Sequence, residues 1–329
     1  MRIAVIANEE RYRLFAPSER VFKDHEVAFF PLDTPDERIA RECPDAEVLL
    51  VDAIAPVSAG LIAALPALKM IHSEGVAVSA IDCRSAQQRG VYVCNNKGGN
   101  AGAVAEQALM LMLGFLRGVV AGNESVLEGR QIERKEKMML EGITDLADCT
   151  VGLIGLGDIG QATAARLAAF GCRCLYWSRT RRDAALEESL CVTYAPLPEL
   201  LGRSDIVSLH VAVTDDTLRF MDAERFSLMK GGALLVNTGR GELVDNEALI
   251  AALDQGTLSG AALDVCDPEP VAFDNPVVAY AREHPGRVLF SPHIGGVTTG
   301  SFKRMHAHMW ENVERIARVE RPDCVVNGL

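Results

Sequence analysis

The chain alternates short apolar runs with helix-forming stretches almost throughout its 329 residues, and this alternation constrains the fold more than any other feature. The runs lack the two-residue alternation of half-exposed strands, so they are typical of parallel strands covered by helices on both faces. One series comprises Ile3–Ala7, Val27–Phe30, Val48–Val51, Lys69–His72 and Val91–Cys94. The other comprises Val151–Ile154, Cys172–Trp177, Ile206–His210, Ala233–Asn237, Ala261–Val265 and Val288–Phe290. The pattern predicts an α/β protein with two doubly wound parallel-sheet domains.

The stretches outside the two series set the expected domain limits. Asn100–Arg117 is rich in Ala, Leu and Met and predicts a helix, and Ser301–Arg318 has apolar residues at helical spacing. Glu124–Glu141 is helical in composition but heavily charged, which fits either a solvated face or an arm that wraps a second subunit. Because the last helix follows the second series, we expect it to return to the first domain. The expected domains are residues 1–98 plus 294–329, and residues 99–293, with a cleft between them.

Composition and charge restrict the class of protein. The formal net charge of −12 argues against nucleic acid or an anionic membrane as a partner. The nine cysteines show no zinc-ligand spacing, so we expect reduced thiols, no metal site and a cytoplasmic location. No signal peptide is expected at the start of the sequence, and the apolar stretch from Ala103 to Val120 is interrupted by charged residues.

A glycine-rich hexapeptide opens the second series. Gly155-Leu156-Gly157-Asp158-Ile159-Gly160 follows the apolar run Val151–Ile154 and precedes a helix-forming stretch. In such a strand–turn–helix unit the first glycine permits a tight turn, the second lets the backbone approach a pyrophosphate, and the third allows close packing. The alternative is a glycine-rich turn that binds no ligand, but such a turn would not need a strand before it and a helix after it. We therefore predict a Rossmann-like dinucleotide site formed by Gly155, Gly157, Asp158, Ile159 and Gly160.

The residues after the next predicted strand bear on which dinucleotide binds. NAD-specific sites usually place a carboxylate there, whereas this chain has Ser178, Arg179 and Thr180. The hydroxyl groups can donate hydrogen bonds to a 2′-phosphate, and Arg179 can add a charge-assisted contact. A solvated basic loop is the alternative. We predict a preference for NADP(H), with NAD(H) possible.

Three further motifs follow predicted strands, where open α/β sheets place their sites. Arg240 emerges beside two glycines and can grip a carboxylate with two hydrogen bonds. Glu269 lies in an acidic, proline-rich loop, and His293 lies in a glycine-rich turn. Each could be an ordinary surface or structural residue when taken singly. Together they can bind a keto acid and deliver a proton to its keto oxygen, because a carboxylate beside an imidazole stabilises the imidazolium.

In order and spacing, these motifs resemble those of the D-isomer-specific 2-hydroxyacid dehydrogenase family, from about Val48 to the end of the chain. The resemblance implies that Arg240 binds the substrate carboxylate, Glu269 orients the histidine and His293 is the general acid and base. It also implies that Gly75, Val76 and Ala77 hold the substrate carboxylate through backbone N–H groups, with Ile54 nearby. Among the residues at strand ends, we expect further cofactor contacts from His210, Thr238 and Asp264.

Several residues depart from the family pattern. Ala77 stands where a second glycine is usual, Ser79 where an aspartate is usual, Ala212 where a proline is usual and Cys266 where an aromatic residue is usual. None is one of the three expected catalytic residues. The departures therefore affect the expected shape of the substrate pocket and not the reaction type.

The loop 52–56 narrows the range of candidate substrates, because it has no basic residue that could bind a phosphate group. We therefore expect an unphosphorylated 2-keto acid: glyoxylate, hydroxypyruvate or a larger apolar acid, the last favoured by Ile54 and Val76. The family resemblance also predicts a homodimer built from the cofactor domain. Two alternatives remain at this point: a non-enzymatic NAD(H)-sensing corepressor-like protein, which would usually carry long disordered tails, and a phosphite-type dehydrogenase.

Overall fold

The computed structural model describes all 329 residues, Met1–Leu329, and divides into two compact units. One unit comprises Met1–Asn100 and Val297–Leu329, and the other comprises Ala101–Gly296. These limits differ by at most three residues from the domain limits expected from the sequence. Each unit contains its own parallel sheet, so the expected α/β class with two doubly wound sheets is confirmed.

The first unit is built on a five-stranded sheet in the order β2-β1-β3-β4-β5, with every pairing parallel. This is the flavodoxin-like order, and it reverses between β1 and β3. The strands are β1 (Arg2–Ile6), β2 (Glu26–Phe30), β3 (Val48–Val51), β4 (Met70–Ser73) and β5 (Tyr92–Cys94). The helices that connect them are α1 (Glu9–Phe15), α2 (Val21–Asp24), α3 (Asp36–Glu42), α4 (Ala59–Ala64) and α5 (Cys83–Gln88).

The second unit is built on a seven-stranded parallel sheet in the order β12-β11-β10-β9-β6-β7-β8, which reverses between β6 and β9. The strands are β6 (Thr150–Ile154), β7 (Arg173–Trp177), β8 (Val192–Tyr194), β9 (Ile206–Leu209), β10 (Ala233–Asn237), β11 (Leu258–Leu263) and β12 (Val288–Phe290). β8 has no counterpart among the strands predicted from the sequence. It is three residues long and extends the sheet beyond β7.

The charged stretch 124–141 is helical, as its composition indicated. It forms parts of two helices, which are separated at Gly129 with a φ of +74°. The helices are α6 (Ala101–Leu116), α7 (Val119–Leu127), α8 (Gln131–Glu141), α9 (Asp158–Ala169), α10 (Ala184–Ser189), α11 (Leu197–Arg203), α12 (Ala223–Ser227), α13 (Asn246–Asp254) and α14 (Pro276–Glu283). Two short 3-10 turns lie at Leu146–Asp148 and Gly241–Leu243.

The final helix, α15 (Thr299–Ala317), has the helical conformation that its apolar spacing predicted, and it belongs to the first unit. The Thr298 hydroxyl caps it by accepting a hydrogen bond from the Ser301 N–H at 3.1 Å. Its buried side chains, including Met309, Trp310 and Val313, share one apolar cluster with residues of β1 and β3. The opposite face of that sheet is covered by a second cluster that includes helix residues such as Leu61 and Ile62 of α4. The strands are therefore buried on both faces.

No single helix is long and apolar enough to cross a membrane, although the bent pair α6 and α7 meets that test by length and composition alone. Much of α6 is buried within the second unit.

Candidate active site

The glycine-rich turn lies at the point where the strand order of the second sheet reverses, which is where ligands bind in open α/β sheets. Gly155 follows β6 with a φ of +102°, and a Cβ there would lie 2.4 Å from the carbonyl oxygen of His210. A Cβ on Gly160 would lie 2.2 Å from the carbonyl oxygen of Gly155. Only glycine fits at either position, because the turn is tight and the first turn of α9 packs directly on it.

Three features of this edge fit a dinucleotide. A Cβ on Gly157 would meet nothing within 4 Å, so the backbone there is open to an approaching group. Asp158, Ile159 and Gly160 form the first turn of α9, whose N–H groups can bind phosphate oxygens. Thr238 Oγ1 and His210 Nδ1 are buried and lack a hydrogen-bond partner. Since buried polar atoms are normally paired, the two atoms match a polar ligand lying along the ends of β9 and β10.

The imidazole of His210 is held at the end of β9 by two contacts. The backbone N–H donates to the carbonyl of Ile154 at 2.7 Å, and Nε2 lies 3.0 Å from Ser208 Oγ. Burial lowers the pKa of His210 to about 4. His210 is therefore neutral near pH 7 and cannot act there as a cationic contact.

The loop after β7 carries several guanidinium groups with different partners. Arg179 and Thr180 are exposed, and Ser178 Oγ donates to the carbonyl of Thr180 at 2.7 Å. Arg181 forms a two-point ion pair with Glu187, and this contact lowers the pKa of Glu187 to about 2. Arg182 donates to the carbonyl of Leu156, inside the glycine-rich turn, at 3.0 Å. Arg182 was not predicted to be a site residue, and only its charge could have suggested it.

The structure brings two of the three expected catalytic residues into contact. His293 follows β12, and its Nδ1 lies 2.6 Å from Glu269 Oε2. The other carboxylate oxygen of Glu269 accepts the Cys266 N–H at 2.9 Å, which fixes its orientation. Both side chains remain partly exposed, at 43% for His293 and 35% for Glu269. Because Glu269 faces Nδ1, the proton that His293 exchanges with a substrate must be carried on Nε2.

Asp264 holds the turn that carries His293. It is 3% exposed, and its carboxylate accepts the N–H groups of Ile294 at 3.1 Å and Gly295 at 2.8 Å, as well as the Ser291 hydroxyl. The structure thus gives Asp264 a positioning role. The cofactor contact expected of this residue stays a prediction.

Arg240 lies just after β10 and does not join the pair formed by Glu269 and His293. Its guanidinium donates to the carbonyl of Gly239 at 2.7 Å. The side chain of Asn237 shapes the loop, because Nδ2 donates to the Arg240 carbonyl at 2.8 Å and Oδ1 accepts the Gly239 N–H at 3.0 Å. β10 and β12 flank β11 and all three are parallel, so Arg240, Glu269 and His293 follow strands at the same edge of one sheet.

The expected carboxylate-binding loop of the first unit follows β4. Gly75 donates its N–H to Ser73 Oγ at 3.3 Å, which leaves the N–H groups of Val76 and Ala77 as the other donors of the loop. Ile54, in the loop after β3, is 74% exposed. These four residues lie at the carboxyl ends of the adjacent strands β3 and β4.

Two asparagine side chains that were not predicted to be site residues support this loop. Asn95 Nδ2 donates to the carbonyl of Val76 at 2.7 Å, and Asn96 Nδ2 donates to the carbonyl of Glu74 at 2.8 Å. Asn96 is buried, and its own N–H donates to the Gly75 carbonyl at 2.8 Å. The signal for them in the sequence is weak, because a pair of asparagines after a strand is common in loops.

A glycine-rich turn at the reversal of a parallel sheet, with an imidazole–carboxylate pair and an arginine at the same edge, defines a nicotinamide-dependent dehydrogenase. The family model for the D-isomer specific 2-hydroxyacid dehydrogenase, NAD binding domain, matches residues 109–295. The chain belongs to the D-isomer specific 2-hydroxyacid dehydrogenase family. It is an NAD(P)-dependent enzyme that transfers a hydride between the cofactor and small 2-keto or 2-hydroxy acids.

Similar proteins extend the match over most of the chain. A glyoxylate reductase of Korarchaeum cryptofilum is 36% identical over 88% of this chain and 84% of its own length. A glyoxylate reductase of Pyrococcus furiosus is 34% identical over 90% and 86% of the two chains. A D-lactate dehydrogenase of Aquifex aeolicus, solved with NAD and lactic acid, is 26% identical with a TM-score of 0.81 and covers 97% of this chain and 96% of its own.

Proposed function

We propose that this enzyme reduces a small unphosphorylated 2-keto acid, namely glyoxylate, hydroxypyruvate or an apolar 2-keto acid, to the D-2-hydroxy acid with NADPH. The observation that carries the proposal is the 2.6 Å contact between His293 Nδ1 and Glu269 Oε2 at the sheet edge that also bears Arg240. The glyoxylate reductases of Korarchaeum cryptofilum and Pyrococcus furiosus support the substrate class. The loop 52–56 supports an unphosphorylated substrate, because it carries no basic residue.

The mechanism assigns one task to each residue. A bound nicotinamide ring supplies or accepts the hydride. Arg240 binds the substrate carboxylate through its guanidinium, which also polarises the neighbouring keto group. His293 donates a proton from Nε2 to the keto oxygen during reduction and takes it back during oxidation. Glu269 holds Nδ1, so the imidazole keeps one orientation and its charged form is stabilised.

The substrate proposal is tested by steady-state kinetics with a panel of 2-keto acids and both reduced cofactors. We expect the highest kcat/KM for small monocarboxylic acids, and lower values for phosphorylated acids that need a basic partner. A higher value for a phosphorylated acid would contradict the choice of substrate. Turnover of phosphite and no 2-keto acid would contradict the reaction itself.

The preference for NADPH rests on the loop after β7. Arg179 is exposed, and Arg182 lies against the glycine-rich turn, so two guanidinium groups are available for a 2′-phosphate. Arg181 is not available in the same way, because Glu187 holds it at two points. Arg179→Ala should weaken NADPH binding about 10- to 150-fold, the worth of a lost hydrogen bond to a charged group, and leave NADH binding unchanged.

This preference is measured from the fluorescence of the reduced cofactors titrated with enzyme. Arg181→Ala is the matched control. It removes a guanidinium from the same loop, but this guanidinium is already paired with Glu187. Equal losses of NADPH and NADH affinity in Arg179→Ala would show that Arg179 does not read the 2′-phosphate.

We also propose a cytoplasmic homodimer formed through α6, α7 and α8. A groove of about 600 Å³ is lined by Leu109, Met110, Leu113 and Phe170, among others. Further along the arm, Leu127 and Leu140 are 79% and 89% exposed. Exposed apolar side chains of this kind are typical of an interface, and a second copy of the chain offers the same side chains in return.

Light scattering at micromolar concentration tests the dimer. Leu140→Glu should convert dimers to monomers, whereas Val319→Glu, which changes an equally exposed residue of the first unit, should not. A monomeric wild-type protein would contradict the assembly.

A further inference from the structure

A charged cluster of the first unit lies where the order of its sheet reverses. β1 and β3 are neighbours there, and the chain leaves them towards opposite edges of the sheet. Arg11 lies in α1, the helix that follows β1, and Asp52 follows β3 directly. Ligand-binding residues of doubly wound sheets gather at such a point, at the carboxyl ends of the strands.

Arg11 binds two carboxylates at once. Its NH2 group donates to Asp52 Oδ2 at 2.5 Å and also to Glu74 Oε2. Its Nε donates to Glu74 Oε1 at 3.1 Å, so the contact with Glu74 is a two-point contact. The side chains of Asp52 and Glu74 are 13% and 5% exposed, which makes these contacts far less screened than surface ion pairs.

Each carboxylate belongs to a loop expected to face the substrate. Asp52 Oδ1 accepts the N–H of Ile54 at 3.1 Å and so shapes the loop after β3. Glu74 directly precedes Gly75 and starts the loop 74–77 after β4. A single guanidinium therefore connects the two loops through groups that already fix the backbone of each.

A second helix holds Glu74 from the other side. His306 of α15 is fully buried, and its Nε2 lies 2.8 Å from Glu74 Oε1. Since His306 Nδ1 has no partner, the arrangement that leaves no buried N–H unpaired places the proton on Nε2. Glu74 is thus anchored to α1 and to α15 together.

The charges of the cluster exclude the direct binding of an anionic ligand group by Arg11. Two carboxylates face one guanidinium, so the cluster has no spare positive charge with which to bind an anionic group of a ligand. Arg11 is consequently not a second carboxylate-binding or phosphate-binding residue. What its contacts can do is fix the relative positions of the two loops.

We propose that Arg11, Asp52 and Glu74 form an ionic clamp that fixes the loops 52–54 and 74–77, and that Arg11 is a positioning residue for the 2-keto acid. The proposal rests on the proposed function, because that function assigns the loops to substrate binding. When the clamp is lost, the N–H donors of the loop 74–77 lose their fixed geometry. Small displacements of such binding groups strongly weaken the binding of a substrate.

The experiment compares Arg11→Met, Arg11→Lys and Asp52→Asn with the wild-type enzyme, and Arg38→Met is the control. Arg38 pairs with Glu42 on the exposed surface of α3 and lies in neither loop. We expect the KM for the keto acid to rise about 10- to 100-fold in Arg11→Met, with an unchanged affinity for NADPH. Asp52→Asn keeps the side-chain shape and should show a smaller rise in KM. Arg11→Lys should recover only part of the loss. Lysine keeps the positive charge, but its ammonium group cannot make the two-point contact with Glu74.

Amide hydrogen exchange provides a readout that does not depend on the reaction. Exchange in residues 52–54 and 74–77 should be faster in Arg11→Met and in Asp52→Asn than in the wild type, and unchanged in Arg38→Met. An unchanged KM and unchanged exchange in Asp52→Asn, whose fold is the least perturbed, would overturn the clamp. If the wild type turns over no 2-keto acid while exchange still rises as stated, the clamp stands and the proposed function fails.

Discussion

Replacing Glu269 with Gln isolates the electrostatic part of the proposed proton transfer. The amide keeps the size of the side chain and can still accept the Cys266 N–H, so the loop geometry should survive. What is lost is a negative charge 2.6 Å from Nδ1 of His293. That charge stabilises the imidazolium that donates the proton during reduction.

The exposure of the pair sets the size of the effect. Two unit charges about 4 Å apart interact by about 1 kcal/mol in water and by about 4 kcal/mol at the effective dielectric of a protein surface. His293 and Glu269 are 43% and 35% exposed, so solvent screening places the interaction near the lower figure. About 1 kcal/mol corresponds to about a fivefold change in a rate that depends on this charge.

The direction of the change follows from which form of His293 reacts. Reduction needs the imidazolium, so its rate falls as pH rises, and in Glu269→Gln the rate of reduction at a fixed pH in this falling part of the profile should be lower, by up to about fivefold. Oxidation needs the neutral imidazole, so its rate rises with pH, and loss of the carboxylate should raise that rate at a fixed pH in the rising part of the profile. This pH-dependent change in rate cannot be due to His210, because burial lowers the pKa of His210 to about 4.

The assay is the pH dependence of kcat/KM for the keto acid at saturating NADPH, for the wild type and Glu269→Gln. Superimposable profiles, or a shift to higher pH, would refute the assignment of Glu269 as the charge partner of His293.

Two further predictions concern the groups that bind substrate and cofactor. Arg240→Ala should raise the KM for the keto acid and also lower kcat, because the guanidinium binds both the substrate and the transition state; a change in neither constant would exclude it from the site. Gly160→Ala should abolish the fluorescence change of bound NADPH and lower the stability of the second unit by about 1–3 kcal/mol in denaturant unfolding, because its Cβ would lie 2.2 Å from the Gly155 carbonyl oxygen. Full binding by this variant would show that the turn can open.

Much of the fold could be predicted from the sequence because strands covered on both faces leave a strong local signal. Every predicted strand is present, and the final helix is recognisable from its apolar spacing. β8 was missed because Val192–Tyr194 is only three residues long and has no apolar run of its own. Glu124–Glu141 was predicted to be helical, but its composition did not show that the left-handed conformation of Gly129 separates two helices.

Some residues of the candidate site lie in local sequence motifs, whereas others meet only through contacts between distant parts of the chain. Arg240, Glu269 and His293 could be predicted because each lies in a short motif at the end of a strand. Arg11 and Glu74 are separated by 63 residues, and Glu74 and His306 by 232, so only the folded chain shows that they meet. A charged residue directly after a buried strand, as Glu74 and Asp52 both are, is a local sign that a partner is needed.

In the proposed mechanism His293 delivers the proton to a small 2-keto acid that is bound in a single orientation. The most direct measurement is the reduction of hydroxypyruvate by NADPH, with chiral analysis of the product, for the wild type and His293→Ala at equal cofactor occupancy. We expect the D-isomer from the wild type and a rate about 10²- to 10⁴-fold lower in His293→Ala, with unchanged NADPH affinity. Formation of the L-isomer, or a wild-type rate in His293→Ala, would refute the role of His293 as the proton donor to a uniquely oriented substrate.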